Sequence, residues 1–131
     1  MTADDFDRLV ERAFAAIPAR FRRRLANVSV VVEREPTPAQ LASGGVSGGG
    51  TLLGLYQGRP LPSRSVFESF SMPDRITIFQ GPHERLARGL PHLQQLVTDT
   101  LWHEVAHYFG LDERQVRAAE RRRARRPRRP E

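Results

Sequence analysis

The chain has 131 residues, of which 27% are charged, and carries a formal net charge of +6. That length suits one domain able to bury a core without staples. Cysteine is absent, which excludes disulfides, zinc ribbons and thiol catalysis, and nothing requires an oxidising compartment.

Asp4, Asp5 and Asp7 sit where the apolar region of a signal peptide would have to begin. No apolar run approaches the ~18 residues needed to span a bilayer. A cytoplasmic location and no transmembrane segment are the expectations. Thr2 is placed to cap a helix whose apolar positions are Phe6, Leu9, Val10, Ala13, Phe14 and Ile17. Pro18 interrupts it and can start a short second helix through Leu25. Val28-Ser29-Val30-Val31-Val32 is β-branched and short, so it reads as a strand that Pro36 and Pro38 end.

Residues 43–50 are Ser-Gly-Gly-Val-Ser-Gly-Gly-Gly, a connector or flap. A phosphate-binding loop needs a Gly-Lys-Ser/Thr ending and a strand-to-helix setting that this segment lacks. A second strand is expected from Leu52 to Gln57. Residues 59–74, with three prolines and several serines, read as an irregular connection. Arg75-Ile76-Thr77-Ile78-Phe79 reads as a third strand, and Gly81-Pro82 as a turn whose proline opens a short helix through Arg88. His83 and His92 are each open to two readings, an oxyanion donor or an ordinary turn or surface histidine.

Pro91 can begin a long helix with core positions Leu93, Leu96, Val97 and Leu101. It ends in His103-Glu104-Val105-Ala106-His107-Tyr108-Phe109-Gly110, an H-E-x-x-H motif followed by Asp112 and Glu113. Helical residues four apart lie about 40° and 6 Å from each other, so His103 and His107 share a face and can hold one metal ion. Glu104 flanks that face, placed to take a proton rather than to bind. Leu101, Trp102, Val105, Ala106, Tyr108 and Phe109 make the helix apolar on most sides, so the polar groups of the motif need partners. Gly110 suits a left-handed cap. The returning chain would let Asp112 or Glu113 supply a third ligand and leave a fourth position open, as catalytic zinc requires. Tyr108 has two roles open to it, a phenolic donor or a core residue.

The last segment holds the charge. Residues 117–131 contain eight Arg and two Glu, whereas residues 1–116 contain thirteen Arg and thirteen acids. The sequence thus divides into a neutral domain, 1–116, and an Arg-rich tail, 117–131. Like charges at this density repel, and Pro127 and Pro130 break any helix. A solvated, disordered tail and a nonspecific polyanion-binding arm are the two readings. No aromatic residue is interleaved, so the arm would lack a stacking surface for bases.

From about Phe6 to Glu113 the sequence resembles the small single-domain zincin-like metallopeptidases of bacteria. The stretches that carry the resemblance are Leu9 to Pro18, the Val28–Val32 segment, Gly54-Leu55-Tyr56-Gln57-Gly58, Pro73 to Phe79, Gly81-Pro82, and the helix ending in His103 to Glu113. The resemblance implies an α+β fold, a small mixed sheet packed on the helix that carries H-E-x-x-H. It also implies one zinc ion held by His103, His107 and an acid. The extended zincin pattern puts that acid at Glu113, with Asp112 as the alternative. The activity implied is hydrolysis of peptide or unstructured polypeptide, with Glu104 as general base. Its substrate would add to an edge strand, Arg75 to Gln80, along Ile76, Thr77, Ile78 and Phe79. No methionine follows the motif, so the larger metzincins' Met-turn is missing. A second class of function is a zinc-stabilised binding module that uses the Arg tail on nucleic acid or anionic surfaces.

Overall fold

In the computed structural model, which describes residues 1–45, 51–58 and 74–110, the Thr2 hydroxyl accepts the Asp5 N–H at 3.1 Å and opens helix α1, Ala3–Ala15. Asp4 and Asp5 in its first turn and Arg12 in its last complement the helix dipole. Its buried residues are Phe6, Leu9, Val10 and Ala13, an i, i+3, i+4, i+7 stripe. Pro18 then precedes α2 (Ala19–Arg22) and a 3-10 turn, Arg23–Leu25.

The β-branched segment forms β1, Val28–Glu33. The next element, α3 (Pro38–Ser43), is one that the prolines at 36 and 38 do not announce as strand terminators. Its start is a capping box: Gln40 N–H donates to the Thr37 hydroxyl at 3.1 Å, and Thr37 N–H donates to Gln40 Oε1 at 2.8 Å. Thr37-Pro38-Ala39-Gln40 carries that signature in the sequence.

Strand β2 is Gly54–Gln57, and β3 is Asp74–Phe79. β3 runs directly into α4 (Gln80–Leu86), with Phe79 at the cap position. Gly81 and Pro82 lie in the first turn of α4 instead of forming a separate turn. The missing proline N–H there is one that a helix start leaves unpaired anyway. Arg85 pairs with Glu35 through both terminal guanidinium nitrogens, an exposed contact between α4 and the chain just after β1. The last described helix, α5, spans Leu90–Tyr108.

The three strands form one mixed sheet in the order β1-β3-β2. β1 pairs with β3 in parallel, Val28 opposite Asp74 and Glu33 opposite Phe79. β2 pairs with β3 antiparallel, Gly54 opposite Ile78 and Gln57 opposite Arg75. The expected substrate edge at Ile76, Thr77, Ile78 and Phe79 is therefore corrected. β3 is the central strand, so its backbone groups serve β1 on one side and β2 on the other, and no row remains for a peptide to join. Among the described residues the edges are β1 and β2.

Helix α5 packs on β2 and β3, and α1 packs on α5. Phe6, Ile76, Ile78, Val97 and Leu101 are wholly buried in this α+β core. Each such side chain contributes about 1.5–3 kcal/mol on leaving water. No helix among the described residues is long and apolar enough to cross a membrane. Most of the glycine-rich loop (46–50), the connection 59–73, the acids Asp112 and Glu113, the boundary at 116 and the Arg tail all lie outside the described residues.

Candidate metal centre

The core-facing residues of α5 fix how the motif is presented. Leu93, Val97, Leu101 and Val105 are buried at spacings of four, and burying them turns His103 and His107 toward one face. The two imidazoles lie one turn apart with ring centroids 4.6 Å from each other. Ligand atoms of His103, Glu104 and His107 all fall within 4.8 Å of one another. The histidines are half-buried and Glu104 is 8% exposed. Two imidazole nitrogens preassembled at the edge of an apolar core are donors that zinc takes, and the Glu104 carboxylate lies beside them. The residues present fit such an ion.

Glu104 is held from two directions. Its Oε1 accepts the Tyr56 backbone N–H at 2.9 Å and lies 3.4 Å from Nδ1 of His107. Tyr56 stands opposite Ile76 in the antiparallel register. Its amide serves Glu104 rather than β3, so it belongs to the outer edge of β2. An N–H donating to a carboxylate is among the stronger hydrogen bonds, and here it fixes the glutamate rotamer against the sheet.

That contact requires β2 to lie close to α5, and Gly54 permits it. A β-carbon at Gly54 would stand 2.6 Å from Cγ2 of Thr100 and 3.3 Å from Cγ of Glu104. Thr100 is one turn before Glu104 and is itself buried. Beyond the motif, Gly110 adopts φ +76° and its N–H bonds the His107 carbonyl at 2.9 Å. This is the left-handed cap that its position after the last apolar residues implies.

The other polar candidates sit elsewhere. His83 is wholly buried. Its Nδ1 is 2.7 Å from the Phe79 carbonyl and its Nε2 is 2.9 Å from Oγ1 of Thr100. A carbonyl only accepts, so Nδ1 carries the proton, and in the neutral ring Nε2 accepts from the threonine hydroxyl. His83 is thus a structural pin between α4 and α5, neither a surface histidine nor an oxyanion donor. His92 accepts the Arg88 N–H at 2.9 Å, and eleven helical residues, roughly 16 Å, separate it from His103. Tyr108 donates to the Arg24 carbonyl at 3.2 Å and meets Tyr56 edge-on, which makes it a core residue.

Burial pushes the His83 pKa below its ordinary 6.5, against the Phe79 and Leu96 carbonyls, which favour the protonated ring. The unfolded chain then binds the proton more readily than the folded one. The stability tied to His83 is complete above about pH 6.5 and is lost as pH falls through the lower folded value. Urea unfolding between about pH 8 and pH 5 should show this loss in the wild-type chain and less of it in His83→Gln. Equal pH dependence in both proteins would remove His83 from the account.

Sequence reasoning finds the three motif residues but not Tyr56, Gly54 or Thr100. The Tyr56 contribution is a backbone amide, which leaves no mark on residue type. The one available signal is a glycine at the start of a strand pattern, which points to a close backbone approach.

A helix-borne H-E-x-x-H seated against a small mixed sheet, with its glutamate buried beside two imidazoles, is a zincin-like arrangement. The sequence pattern of the family described as zincin-like metallopeptidase matches residues 25–123. This chain belongs to that family. It is also similar to a solved structure, a conserved hypothetical protein (TTHA0227) from Thermo thermophilus. The two are 28% identical, the likeness covers 92% of this chain and 99% of that one, and the TM-score is 0.56. No curated protein matches the chain.

Proposed function

We propose that the protein is a zinc-dependent peptidase acting on peptides or unstructured polypeptide. His103 and His107 hold one zinc ion in this reading. Glu113 is the third ligand, with Asp112 as its alternative, and Glu104 is the general base. The catalytic domain is residues 1–116, the Arg-rich segment 117–131 follows it, and the assigned compartment is the cytoplasm. The observation that carries the reading is the Glu104 carboxylate, which is buried, oriented by the Tyr56 amide, and grouped with both imidazoles.

When bound, zinc supplies Lewis acidity and lowers the pKa of coordinated water to about 7. The protein's part is to aim the proton acceptor. Tyr56 N–H donates to Oε1 of Glu104, with His107 Nδ1 3.4 Å from the same oxygen, which leaves Oε2 to take a proton and later return it to the leaving amine. The fixed rotamer spares Glu104 the entropy of finding that geometry at each turnover. The outer edge of β2 lies beside this carboxylate. The Tyr56 N–H of that edge is spent on Glu104, so substrate strand addition is assigned to its remaining outward groups, those of Gly54 and the Tyr56 carbonyl, in place of β3.

Elemental analysis should find about one zinc per chain. Hydrolysis of an unstructured peptide library should stop on chelation and return with added zinc. Zinc without hydrolysis of any peptide would sink the peptidase reading and keep the metal site. Failure to bind zinc would sink both.

A further inference from the structure

The structure assigns a second recognition element beside the motif, and it rests on the peptidase reading above. We propose that Arg20, Arg23 and Arg24, with the aromatic cluster Phe21, Trp102 and Phe109, form a docking surface for acidic segments of an unstructured polypeptide substrate.

Helical geometry sets the position. Taking His103 as origin, Glu104 lies about 100° round the α5 axis in one direction. Trp102 lies about 100°, and Phe109 about 120°, in the other. The imidazole face is thus bordered on one flank by Glu104 and β2, and on the other by these aromatics. Phe21 joins them: its ring centroid is 5.6 Å from that of Trp102 and 5.6 Å from that of Phe109, both edge-on. All three are half-buried. Phe21 therefore anchors α2 and the following 3-10 turn to the last two turns of α5, and the Tyr108 hydroxyl on the Arg24 carbonyl fastens the same junction.

This junction brings charge with it. Arg20, Arg22, Arg23 and Arg24 are exposed, and no Asp or Glu occurs between Glu11 and Glu33. Arg22 is partly committed, since its Nε donates to the Ile17 carbonyl at 2.8 Å. Arg20 lies over the Phe21 ring, with its guanidinium carbon 4.8 Å from the centroid. Among the described residues, no ion pair joins Arg20, Arg23 or Arg24 to a carboxylate. The domain as a whole is nearly neutral, so this is a local concentration of positive charge on one flank of the metal face. Such a patch raises the local concentration of an anionic ligand and orients it on approach.

The same arginines would attract RNA phosphates. Two features favour acidic peptide. The aromatic rings meet edge to face, and Arg20 covers one face of Phe21, so the cluster does not offer the open ring faces on which bases stack. The patch also borders the imidazole face whose opposite flank carries Glu104, a carboxylate of the kind that suits peptide hydrolysis.

Trp102 is the single tryptophan of the chain, which makes its emission a reporter of this flank. The experiment uses the full zinc-loaded chain carrying Glu104→Gln, so that binding is read without turnover. It is titrated with an unstructured Glu-rich peptide and with the same peptide carrying Gln for Glu. The acidic peptide is expected to shift Trp102 emission and to weaken with added salt. Its Kd should rise about tenfold or more in Arg20→Gln/Arg23→Gln/Arg24→Gln, and the Gln peptide should bind comparably weakly to the unmodified patch. The double variant Arg23→Gln/Arg24→Gln leaves Arg20 on Phe21 and should show a smaller rise, which keeps the test valid if the triple variant folds poorly. Equal affinity of parent and both variants for the acidic peptide would overturn the proposal. So would a single-stranded RNA that binds the patch more tightly than the peptide does. Hydrolysis by the chain with Glu104 intact is scored separately. Its absence, with arginine-dependent binding retained, removes the peptidase reading. Hydrolysis indifferent to the arginines, with binding equally indifferent, removes this surface alone.

Discussion

Glu104→Gln should lower peptide hydrolysis by about 10²–10⁴-fold while bound zinc stays unchanged. Glutamine keeps a carbonyl oxygen where Oε1 now accepts the Tyr56 amide at 2.9 Å, so the side chain retains its anchor and loses only its basicity. Glu104→Ala is a harsher change, because it also leaves the Tyr56 amide without its partner. The comparison of the two separates proton transfer from scaffolding. Equal loss in both variants, with equal unfolding free energies, assigns the effect to the missing base. A Gln variant that loses zinc would make Glu104 a ligand. One that keeps full activity would end its role as base.

Gly54→Ala should destabilise the fold by about 1–3 kcal/mol through overpacking. Backbone strain is not the reason, since Gly54 is not among the glycines with positive φ. The obstacle is the methyl group of Thr100, 2.6 Å from the new β-carbon, backed by Cγ of Glu104 and the Thr77 carbonyl at 3.3 Å each. Relief requires β2 and α5 to separate, which lengthens the Tyr56–Glu104 hydrogen bond. Activity should therefore fall together with stability. Thr100→Ser removes the offending methyl and keeps the hydroxyl that His83 Nε2 needs. Combined with Gly54→Ala it should recover much of both losses. A urea-unfolding cycle of the four proteins measures the coupling. Additive single effects would show that the two residues do not clash as the geometry states.

The elements that sequence pattern specifies well are those whose periodicity follows from burial on one side. The stripe of α1 and the apolar spacing of α5 are of this kind. The β-branched run at 28–32 and the Ile76–Phe79 run announce strands equally plainly. Neither run says which strand is its neighbour. Pairing is a long-range property, and β3 becomes central only because β1 and β2 both find it. The edge assignment fails for that reason. The α3 start is written in Thr37 and Gln40, but the prolines beside them speak more strongly for a break. At the site, residue chemistry identifies His103, Glu104 and His107. It is silent on the Tyr56 amide, because every residue but proline has one. His83 follows a Gly-Pro pair and so reads as part of a turn. In the structure α4 begins at Gln80, two residues before the proline expected to open it, and His83 lies buried within that helix.

The parallel pairing of β1 with β3 has a kinetic meaning for the folding chain. Val28 and Asp74 come from opposite halves of the sequence, so their meeting must pay the entropy of closing a long loop before any contact repays it. The sheet on which Glu104 leans is complete only after that closure. Proteolysis of folding intermediates should thus cut within the β1–β3 region more readily than the locally formed helices α1 and α5. The Glu104 carboxylate in turn gains its Tyr56 anchor only once β2 lies between β3 and α5. A half-folded chain would carry the histidines on their helix with no strand to aim the carboxylate between them.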